Sequence, residues 1–448
     1  MPDYKSDKPL GLVSSVSQGL SSAGPMLNIF GLFPVLVAIA FRMSFYVILL
    51  SSLVGFLAIY TGYTFSKLMR SNGGYYTYVG RVIGKEIGFI TALLYLSYGL
   101  LAVPSVVLFL VFFTGYAFPV ASLSGVPSEL LLSLLFSGVI ALISAKGLRT
   151  ISRFVTMSSF IEIAAIALFS VVLLFSRGAV FTVPAGIDPV MVMQALPFGV
   201  LAFAGVGSSI FLSENVAKWR TTVSGSVKYS FLLLLILMAV PAFVLSFTTS
   251  GKSLLEYSYD PISIVYSGNF IPGILSMIFI ILAINSAINL AAGYINALKQ
   301  AASRMVTDAV LPDPHRLMSR RMWTFIVAVG SALSIAGILW VGPYSAFVIV
   351  SGTVSILFLM IHSISNAALL KYFRSSRRLA RSVIPAVSTA SFAIVIVYEA
   401  LGGGPFASSA LISISVLIAV ISITAIMRMG SWERFQKIQF GAETNDLP

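Results

Sequence analysis

The stretch QGLSSAGPMLN, residues 18–28, lies inside an apolar run of about residues 12–41 that would otherwise form one helix. It carries two serines, Gly24 and Pro25 near the middle of that run. Pro25 has no N–H to donate to a continuing helix and Gly24 has weak helix propensity, whereas proline suits the first turn of a new helix. In lipid, every backbone polar group needs a partner, so broken helices occur only where they face protein or a water-filled cavity. The stretch therefore predicts a helix that is interrupted inside the membrane, beside a cavity.

The composition of the chain is that of an integral membrane protein. Hydrophobic residues occupy 58% of the 448 positions, the mean hydropathy is +0.98 and only 10% of residues are charged, against about 25% in soluble domains. A helix that crosses a bilayer needs about 20 apolar residues. Twelve segments meet that requirement and take up most of the chain. They cover about residues 12–41, 44–69, 85–118, 129–145, 150–176, 189–213, 226–250, 271–306, 324–341, 345–371, 382–402 and 406–427.

The positions of the basic residues predict the topology. Of the 28 Lys and Arg residues, all but Arg42, Arg177 and Lys252 fall on one side of the membrane if both termini are cytoplasmic. Inside loops of membrane proteins carry such an excess, so the net charge of +13 indicates a multi-pass cell (plasma) membrane protein, with added attraction to anionic membrane lipid. No nucleic-acid partner is expected. The absence of cysteine excludes disulfides and thiolate metal sites.

A second interruption is predicted in the sixth span, PFGVLAFAGVGSSIFLSEN (residues 197–215), where Gly205 and Gly207 bracket Val206. The first and sixth spans lead two halves of five spans each, with opposite orientations in the membrane. Interrupted segments at corresponding positions of two such halves indicate an inverted-repeat transporter with a site near the midplane. The alternative is that glycine and proline only permit close helix packing here.

The predicted regions follow from this division of the chain. They are a cytoplasmic tail (1–11), a first inverted repeat (12–176), a second inverted repeat (189–371), two further helices (382–427) and a second cytoplasmic tail (428–448).

The two interruptions are expected to offer opposite chemistry to one site. The half-helix that begins near Met26 presents backbone N–H groups and the positive end of its dipole. The half-helix that ends near Phe203 presents carbonyl oxygens and a negative end. An α-amino acid zwitterion satisfies both sets of groups, which a sugar or a simple ion does not.

Four segments resemble the amino acid-polyamine-organocation (APC) superfamily of transporters. They are SSAGPMLN (21–28), NGGYYTYVGRVIG (72–84), FAGVGSSIFLSEN (203–215) and SRMVTDAVLPD (303–313). The second resembles the family's GG-x-Y-x-Y run, and the fourth its S-R-x-x-x-x-x-D-x-x-L-P run. The resemblance implies an all-helical LeuT-type five-plus-five fold of twelve transmembrane helices with broken helices 1 and 6, alternating access, and transport of amino acids or related amines.

The resemblance also implies which residues hold the substrate. Backbone groups of the first break would bind its carboxylate, and those of the sixth helix would bind its amine. Phe203 matches a position that closes the site to the outside, and packing against lipid or the core is the alternative. Many members have an acid where Gly207 stands, so a cation-selective pocket is not expected. The implied substrate-binding residues are Ser21, Ser22, Ala23, Gly24, Phe203, Ala204, Gly205, Val206 and Gly207.

Two acidic residues in the spans have candidate roles. Glu162 lies near the middle of the fifth span, where burial favours the protonated carboxyl and a charge is costly. We expect it to carry the coupling proton, or else to be a permanently protonated, hydrogen-bonded group. Glu214 lies near the cytoplasmic end of the sixth span. It is expected to form either an i,i+4 pair with Lys218 or an ion pair at an inner gate, with direct substrate contact as the alternative.

Several polar residues have weaker signals. Asn285 and Asn289 are four apart on the eighth span and so share a face. They are candidates for Na⁺ coordination or for interhelical hydrogen bonds. Tyr95 and Tyr98 are candidates to line the permeation path, and His362 is a candidate proton relay or a packing residue.

These observations predict a secondary active transporter rather than an enzyme. The sequence shows no phosphate loop, zinc spacing or nucleophile arrangement, and its histidines, His315 and His362, are far apart, so no cofactor or metal is expected. The prediction is symport of a neutral amino acid with a coupling proton. Amino acid/polyamine exchange and coupling to Na⁺ remain alternatives, and a channel or a non-transporting substrate sensor is the competing class.

Overall fold

The computed structural model describes residues 9–118, 125–176, 186, 188–266, 273–312, 317–401 and 404–444. Arg177 and His315, which two sequence predictions use, lie outside these residues. Residues 1–8 and 445–448, the outer parts of the two predicted tails, also lie outside them. The helices are α1 Leu12–Ser21, α2 Pro25–Leu27, α3 Phe33–Ala40, α4 Ser44–Phe65, α5 Tyr75–Val82, α6 Lys85–Ala117, α7 Val126–Ser144, α8 Leu148–Ser176, α9 Pro189–Leu201, α10 Trp219–Thr248, α11 Gly251–Tyr259, α12 Ser263–Tyr266, α13 Gly273–Thr307, α14 Leu317–Val341, α15 Pro343–Ser375, α16 Val383–Leu401, α17 Gly404–Gly430 and α18 Trp432–Gln436.

Shorter elements connect the helices. A π-helical turn, Asn28–Leu32, joins α2 to α3, and 3₁₀ helices cover Phe41–Met43, Ala204–Asn215 and Leu379–Ser382. The strands β1 (Met69–Arg70) and β2 (Glu443–Thr444) pair antiparallel, with Met69 opposite Thr444. The sequence prediction of an all-helical membrane fold is therefore confirmed.

Eleven helical stretches of the described residues are long and apolar enough to cross a membrane. The first of them, Leu12–Phe65, has 54 residues, about 80 Å if straight, so it must turn within the membrane thickness. Phe41, with a φ of 47°, marks that turn. Its two arms correspond to the first two predicted spans.

Both predicted interruptions are present, and they touch. The first helix is broken at residues 22–24, and α9 stops at Leu201 before the 3₁₀ segment Ala204–Asn215 begins. A Cβ atom at Gly205 would lie 2.0 Å from the carbonyl carbon of Ser22. Since only a residue without a side chain fits there, Gly205 lets the two broken helices meet backbone to backbone.

One end of the bundle gathers several chain segments, and we name it the basic end. It carries residues 66–74, 216–218 and 308–312, and the chain after α17 lies across it. Arg70 lies at its centre and donates to the carbonyl oxygens of Ser213, Glu214 and Val216, each at 3.1 Å.

Candidate functional site

The first break is built by the left-handed conformation of Gly24, which has φ 57° and ψ 62°. This conformation turns the chain so that the N–H groups of Ala23 and Gly24 fold back onto the carbonyl oxygens of Leu20 and Ser21, both at 3.0 Å. Glycine adopts it without the strain that a Cβ atom would cause. A side chain at Gly24 would also meet Leu290 Cδ1 at 2.4 Å.

The backbone N–H groups expected to bind a substrate carboxylate at the first break have partners within the chain in this structure. The N–H of Ser22 donates to Gln18 O at 3.1 Å. The N–H groups of Ala23 and Gly24 are bound to Leu20 O and Ser21 O, so the end of α1 provides the partners of its own N–H groups. The N–H groups of the next helix begin at Met26, since Pro25 has none. The first donors of the second half-helix are therefore the N–H groups of Met26 and Leu27, and side chains of α8 and α13 bind them.

The carboxylate of Glu162 binds the start of that second half-helix. Its Oε1 accepts the N–H of Met26 at 2.9 Å and the hydroxyl of Ser286, and Ser286 Oγ also accepts the N–H of Leu27 at 3.1 Å. The side chain of Asn289 lies beside the same carboxylate. The positive end of a helix dipole is a natural place for an anion. Glu162 is thus fully buried at a junction of α2, α8 and α13.

Asn28 bridges the carbonyl oxygens of the two breaks. Its Nδ2 donates to Ala23 O at 2.9 Å and to Ala202 O at 3.2 Å. One oxygen follows α1 and the other follows α9, so the amide spans the interface at which the broken helices meet. Asn28 is 1% exposed. An N–H donor is therefore already bound where the sequence predicts an ammonium site.

The predicted gate residue Phe203 faces away from the site. Its ring packs against Phe231 of α10, with 5.7 Å between centroids, and its Cβ approaches the backbone of α4 where Gly55 leaves room for it. Phe203 lines neither cavity described below. The turn at 202–203 directs this side chain towards α4 and α10, where it packs, and a closing role for Phe203 stays a prediction.

Two small cavities flank the meeting point of the breaks. The first has a volume of about 30 Å³ and includes Ser22, Ala23 and Asn28 in its wall. The second, about 20 Å³, is bounded by the 3₁₀ segment at Ala204, Gly205 and Gly207 and by aromatic side chains. A cavity needs about 10–15 Å³ to hold a water. Each cavity therefore accepts a water or two and no amino acid, so the site is contracted.

Tyrosines separate the two cavities. Tyr294 lines both, and its hydroxyl lies 2.5 Å from that of Tyr98. Tyr95 stacks on Phe211 with 4.3 Å between ring centroids. Tyr95 and Tyr98 both line the second cavity, beside the broken helices. Their role in a permeation path stays a prediction.

His362 also lines the second cavity. Its Nδ1 lies 2.8 Å from Phe358 O. Because a carbonyl oxygen only accepts, Nδ1 carries the proton and Nε2 is left as an acceptor. The ring centroid of His362 lies 3.9 Å from that of Phe358 and 4.6 Å from that of Tyr75. Such aromatic surroundings are typical of a packing histidine.

The two asparagines of the eighth span hydrogen-bond to other helices. Asn285 Nδ2 donates to Ser158 Oγ of α8 at 2.7 Å. Asn289 Oδ1 accepts from Ser21 Oγ at 2.9 Å. Of the two, only Asn289 reaches the first break, where it lies between Ser21 and Glu162.

Glu214 pairs across the basic end with Arg304 of α13, at 3.3 Å. The alternative pair with Lys218 is wrong, because the 3₁₀ segment ends at Asn215 and Val216 is extended, so the two residues do not share a helix face. Glu214 Oε1 also accepts the N–H of Asn72 at 2.9 Å. Asn72 Oδ1 accepts the N–H of Glu214 at 2.8 Å. These contacts hold the end of the 3₁₀ segment against α13 and against Asn72, and a gating role for Glu214 stays a prediction.

Asp308 extends this network. Its carboxylate accepts from Arg304 at 3.0 Å and from the Tyr76 hydroxyl at 3.1 Å. Burial raises the pKa of Asp308, although the Arg304 guanidinium opposes that shift.

Sequence reasoning missed Gln18, Asn28, Ser286 and Arg304 as site residues. Gln18 Nε2 donates to Gly293 O at 2.9 Å, which ties the break to α13. Gln18 and Asn28 had a usable signal, because uncharged amides inside a membrane span need partners. Ser286 had none, since a serine in a membrane helix usually bonds to its own helix.

Three solved structures resemble this fold along nearly the whole chain. The manganese transporter of Eremococcus coleocola, in complex with an aromatic bis-isothiourea substituted compound, superposes with a TM-score of 0.56 at 13% identity, covering 98% of this chain and 99% of that chain. Two mutants of the same transporter superpose with a TM-score of 0.52 at 14% identity, again covering 98% of this chain and 99% of that chain. No family model and no curated protein matches the sequence. The likeness establishes the fold, which this chain shares with multi-pass membrane transporters.

Proposed function

We propose that the chain is a secondary active transporter that moves a neutral amino acid across the cell membrane by alternating access, in symport with a proton. Its twelve crossings would form two inverted repeats of five helices and two further helices, with both termini in the cytoplasm. This proposal combines the transporter fold with the APC-like motifs. The meeting of two broken helices supports it, because such breaks form substrate sites in inverted-repeat transporters.

The observation that carries the proposal is the pair of side chains already bound at the breaks. A carboxylate, that of Glu162, occupies the N–H end of one half-helix. An N–H donor, the amide of Asn28, occupies carbonyl oxygens that follow the other two half-helices. The breaks therefore accept one group of each kind that an α-amino acid carries. A sugar or a simple ion matches only half of this arrangement.

The lining of the cavities supports a neutral substrate. The described residues around the two cavities include no Asp, Glu, Lys or Arg, so a charged side chain would find no counter-ion there. Moving an unpaired charge into such surroundings is costly. A substrate with a small or apolar side chain would enter the cavities without that cost.

Glu162 is the proposed site of the coupling proton. Its carboxyl lies beside the first break, and its partners Met26 N–H and Ser286 Oγ belong to two different helices. Gain or loss of a proton would change the strength of both contacts, because an ionised carboxylate accepts hydrogen bonds more strongly than a neutral acid. Na⁺ at the same oxygens of Glu162, Ser286 and Asn289 is the alternative, since Na⁺ also prefers oxygen ligands.

Manganese transport is the second candidate, and the similarity to the Eremococcus coleocola transporter is what favours it. The described residues contain no group of three or more His, Cys, Asp or Glu side chains that could hold a metal ion. Divalent manganese is best held by carboxylate, carbonyl and water oxygens, and the breaks offer a single carboxylate. The amino acid proposal therefore accounts for more of the site.

Uptake into proteoliposomes tests the proposal. Purified protein would be supplied with labelled amino acids, polyamines and Mn²⁺ in turn, under an imposed proton gradient, an Na⁺ gradient or internal counter-substrate. We expect accumulation of a neutral amino acid driven by the proton gradient. Accumulation only with internal substrate would make the protein an exchanger, and Mn²⁺ uptake without amino acid uptake would refute the proposal.

A further inference from the structure

The segment Lys437–Thr444, which we name the C-terminal strap, lies against the basic end. Ile438 and Phe440 are buried there, and β2 within the strap pairs with β1. Arg81 and Lys85 donate to the carbonyl oxygens of Ala442 and Gln436, at 3.1 and 2.6 Å. The strap is therefore docked by backbone and side-chain contacts along its length.

The strap binds directly to the network that closes the basic end. Gly441 N–H donates to the Asp308 carboxylate at 3.3 Å, and Gln439 N–H donates to the Asp308 carbonyl oxygen at 3.0 Å. Asp308 in turn holds Arg304, which pairs with Glu214. The strap and the end of the 3₁₀ segment thus share one chain of contacts.

Arg70 forms a second link between the strap and the 3₁₀ segment. Its guanidinium pairs with Glu443 of the strap at 3.1 Å while donating to carbonyl oxygens at residues 213, 214 and 216. Those three carbonyls lie at the end of the segment that carries the second break. Any outward movement of that end would separate Arg70 from one set of partners or the other.

Phe440 fits a notch that two glycines leave open. A Cβ atom at Gly80 would lie 2.3 Å from the Phe440 ring, and one at Gly88 would lie 2.7 Å from it. The ring also packs edge-on against Tyr76, with 5.9 Å between centroids, and Tyr76 donates to Asp308. Part of the NGGYYTYVGRVIG motif is thereby explained as a seat for the strap.

We propose that the strap is a latch, which holds the basic end closed and must leave its seat before that end opens to release or admit substrate. The opening of the basic end rests on the proposed transport function, whereas the docked position of the strap rests on the contacts described above. If the strap only stabilised the fold, it would stay docked throughout the transport cycle. The two roles differ in what happens when the strap is fixed in place.

A disulfide across the β1–β2 pair fixes it. Met69 and Thr444 are directly opposed, and opposed residues of paired strands have Cα atoms about 4.5–5.5 Å apart, within disulfide range. The chain has no cysteine, so Met69→Cys/Thr444→Cys is free of background. We expect oxidation to reduce the initial rate of uptake about tenfold or more, with recovery on reduction. Each single variant, oxidised in parallel, is the control and should keep its rate. If the oxidised double variant transports as fast as the same variant after chemical reduction of its disulfide, the latch is overturned.

Accessibility at the gate gives a readout that needs no substrate. Ser213 is 1% exposed and lies beside Arg70, so Ser213→Cys reports opening through its reaction with a charged, membrane-impermeant thiol reagent. We expect Phe440→Ala to speed that reaction about tenfold, because the latch loses its seat. Phe435→Ala is the matched control, since Phe435 of α18 is also buried but packs on Phe89 of α6 and not in the glycine notch. Equal rates for the two variants would overturn the latch, whatever the substrate proves to be.

Discussion

Glu162 and Asn28 are the residues on which the account of the site depends. Each is buried inside the membrane, and each makes contacts that the proposed function assigns to a substrate group. The sequence identified Glu162 because an acid in a membrane span is conspicuous. It did not identify Asn28, because an amide four residues beyond the glycine of a break also occurs as a packing residue. Only the three-dimensional contact with Ala202 separates the two cases.

The first prediction concerns Glu162→Gln. Glutamine keeps an oxygen that accepts from Met26 and Ser286 but cannot exchange a proton at neutral pH. We expect proton-driven accumulation to fall to the level seen without a gradient, while exchange of internal for external substrate persists. Uptake and counterflow in proteoliposomes measure the two activities separately. Full proton-driven accumulation by this variant would remove Glu162 from the coupling mechanism.

The second prediction concerns Asn28→Ala. The substitution leaves the carbonyl oxygens of Ala23 and Ala202 without their buried donor, which costs about 1–3 kcal/mol of stability. We expect a lower midpoint of thermal unfolding, together with partial recovery on addition of substrate, whose ammonium would replace the lost amide. Asn285→Ala is the comparison, since it also removes an interhelical hydrogen bond. It should be destabilised without that recovery, and equal recovery in both variants would contradict the role given to Asn28.

At the scale of elements, the breaks are governed by glycine. Gly24 supplies the left-handed turn and Gly205 supplies the close approach. The sequence predicts both positions, because glycine and proline interrupt an apolar run there. It does not predict the direction in which Phe203 points, since a turn of two residues decides that. It also does not predict the 3₁₀ winding of residues 204–215, which separates Glu214 from Lys218.

The third prediction concerns Gly205→Ala. The new methyl group would overlap the Ser22–Ala23 peptide, which is backbone and cannot rotate away, so we expect a loss of about 3 kcal/mol and loss of transport. Gly225→Ala in α10 is the control, because its Cβ atom would meet nothing closer than 3.4 Å. That variant should be slightly more stable, by about 0.5–1 kcal/mol. Thermal unfolding in detergent measures both, and a Gly205→Ala protein of normal stability would contradict the contact between the breaks.

For the whole molecule, hydropathy indicates where the spanning helices lie, and the orientation inferred from charge stays a prediction. Eleven spanning stretches in the described residues match the predicted spans once the first is divided at Phe41. The tertiary arrangement adds what no span count contains: that residues 22 and 205 touch, that Arg304 reaches Glu214, and that the chain after α17 returns to close the basic end. Such contacts join residues far apart in sequence, so no local pattern predicts them.

The contracted cavities place a requirement on the whole molecule. With about 30 and 20 Å³ of space, the site must widen before it takes an amino acid. Under the proposed alternating access, movement of the helices that flank the breaks would provide that space. The latch and the Glu214–Arg304 pair restrain this movement at one end.

Competition among analogues of a single substrate tests most directly whether the two breaks together bind a zwitterion. A transported neutral amino acid would be labelled, and its methyl ester, its decarboxylated amine and its N-acetyl derivative would compete for uptake, with Mn²⁺ as a further competitor. The account predicts that the unlabelled amino acid alone competes fully and that each analogue loses about tenfold or more in apparent affinity, because one half of the site is left unpaired. Equal competition by the amine or the ester, or displacement by Mn²⁺ alone, would contradict it.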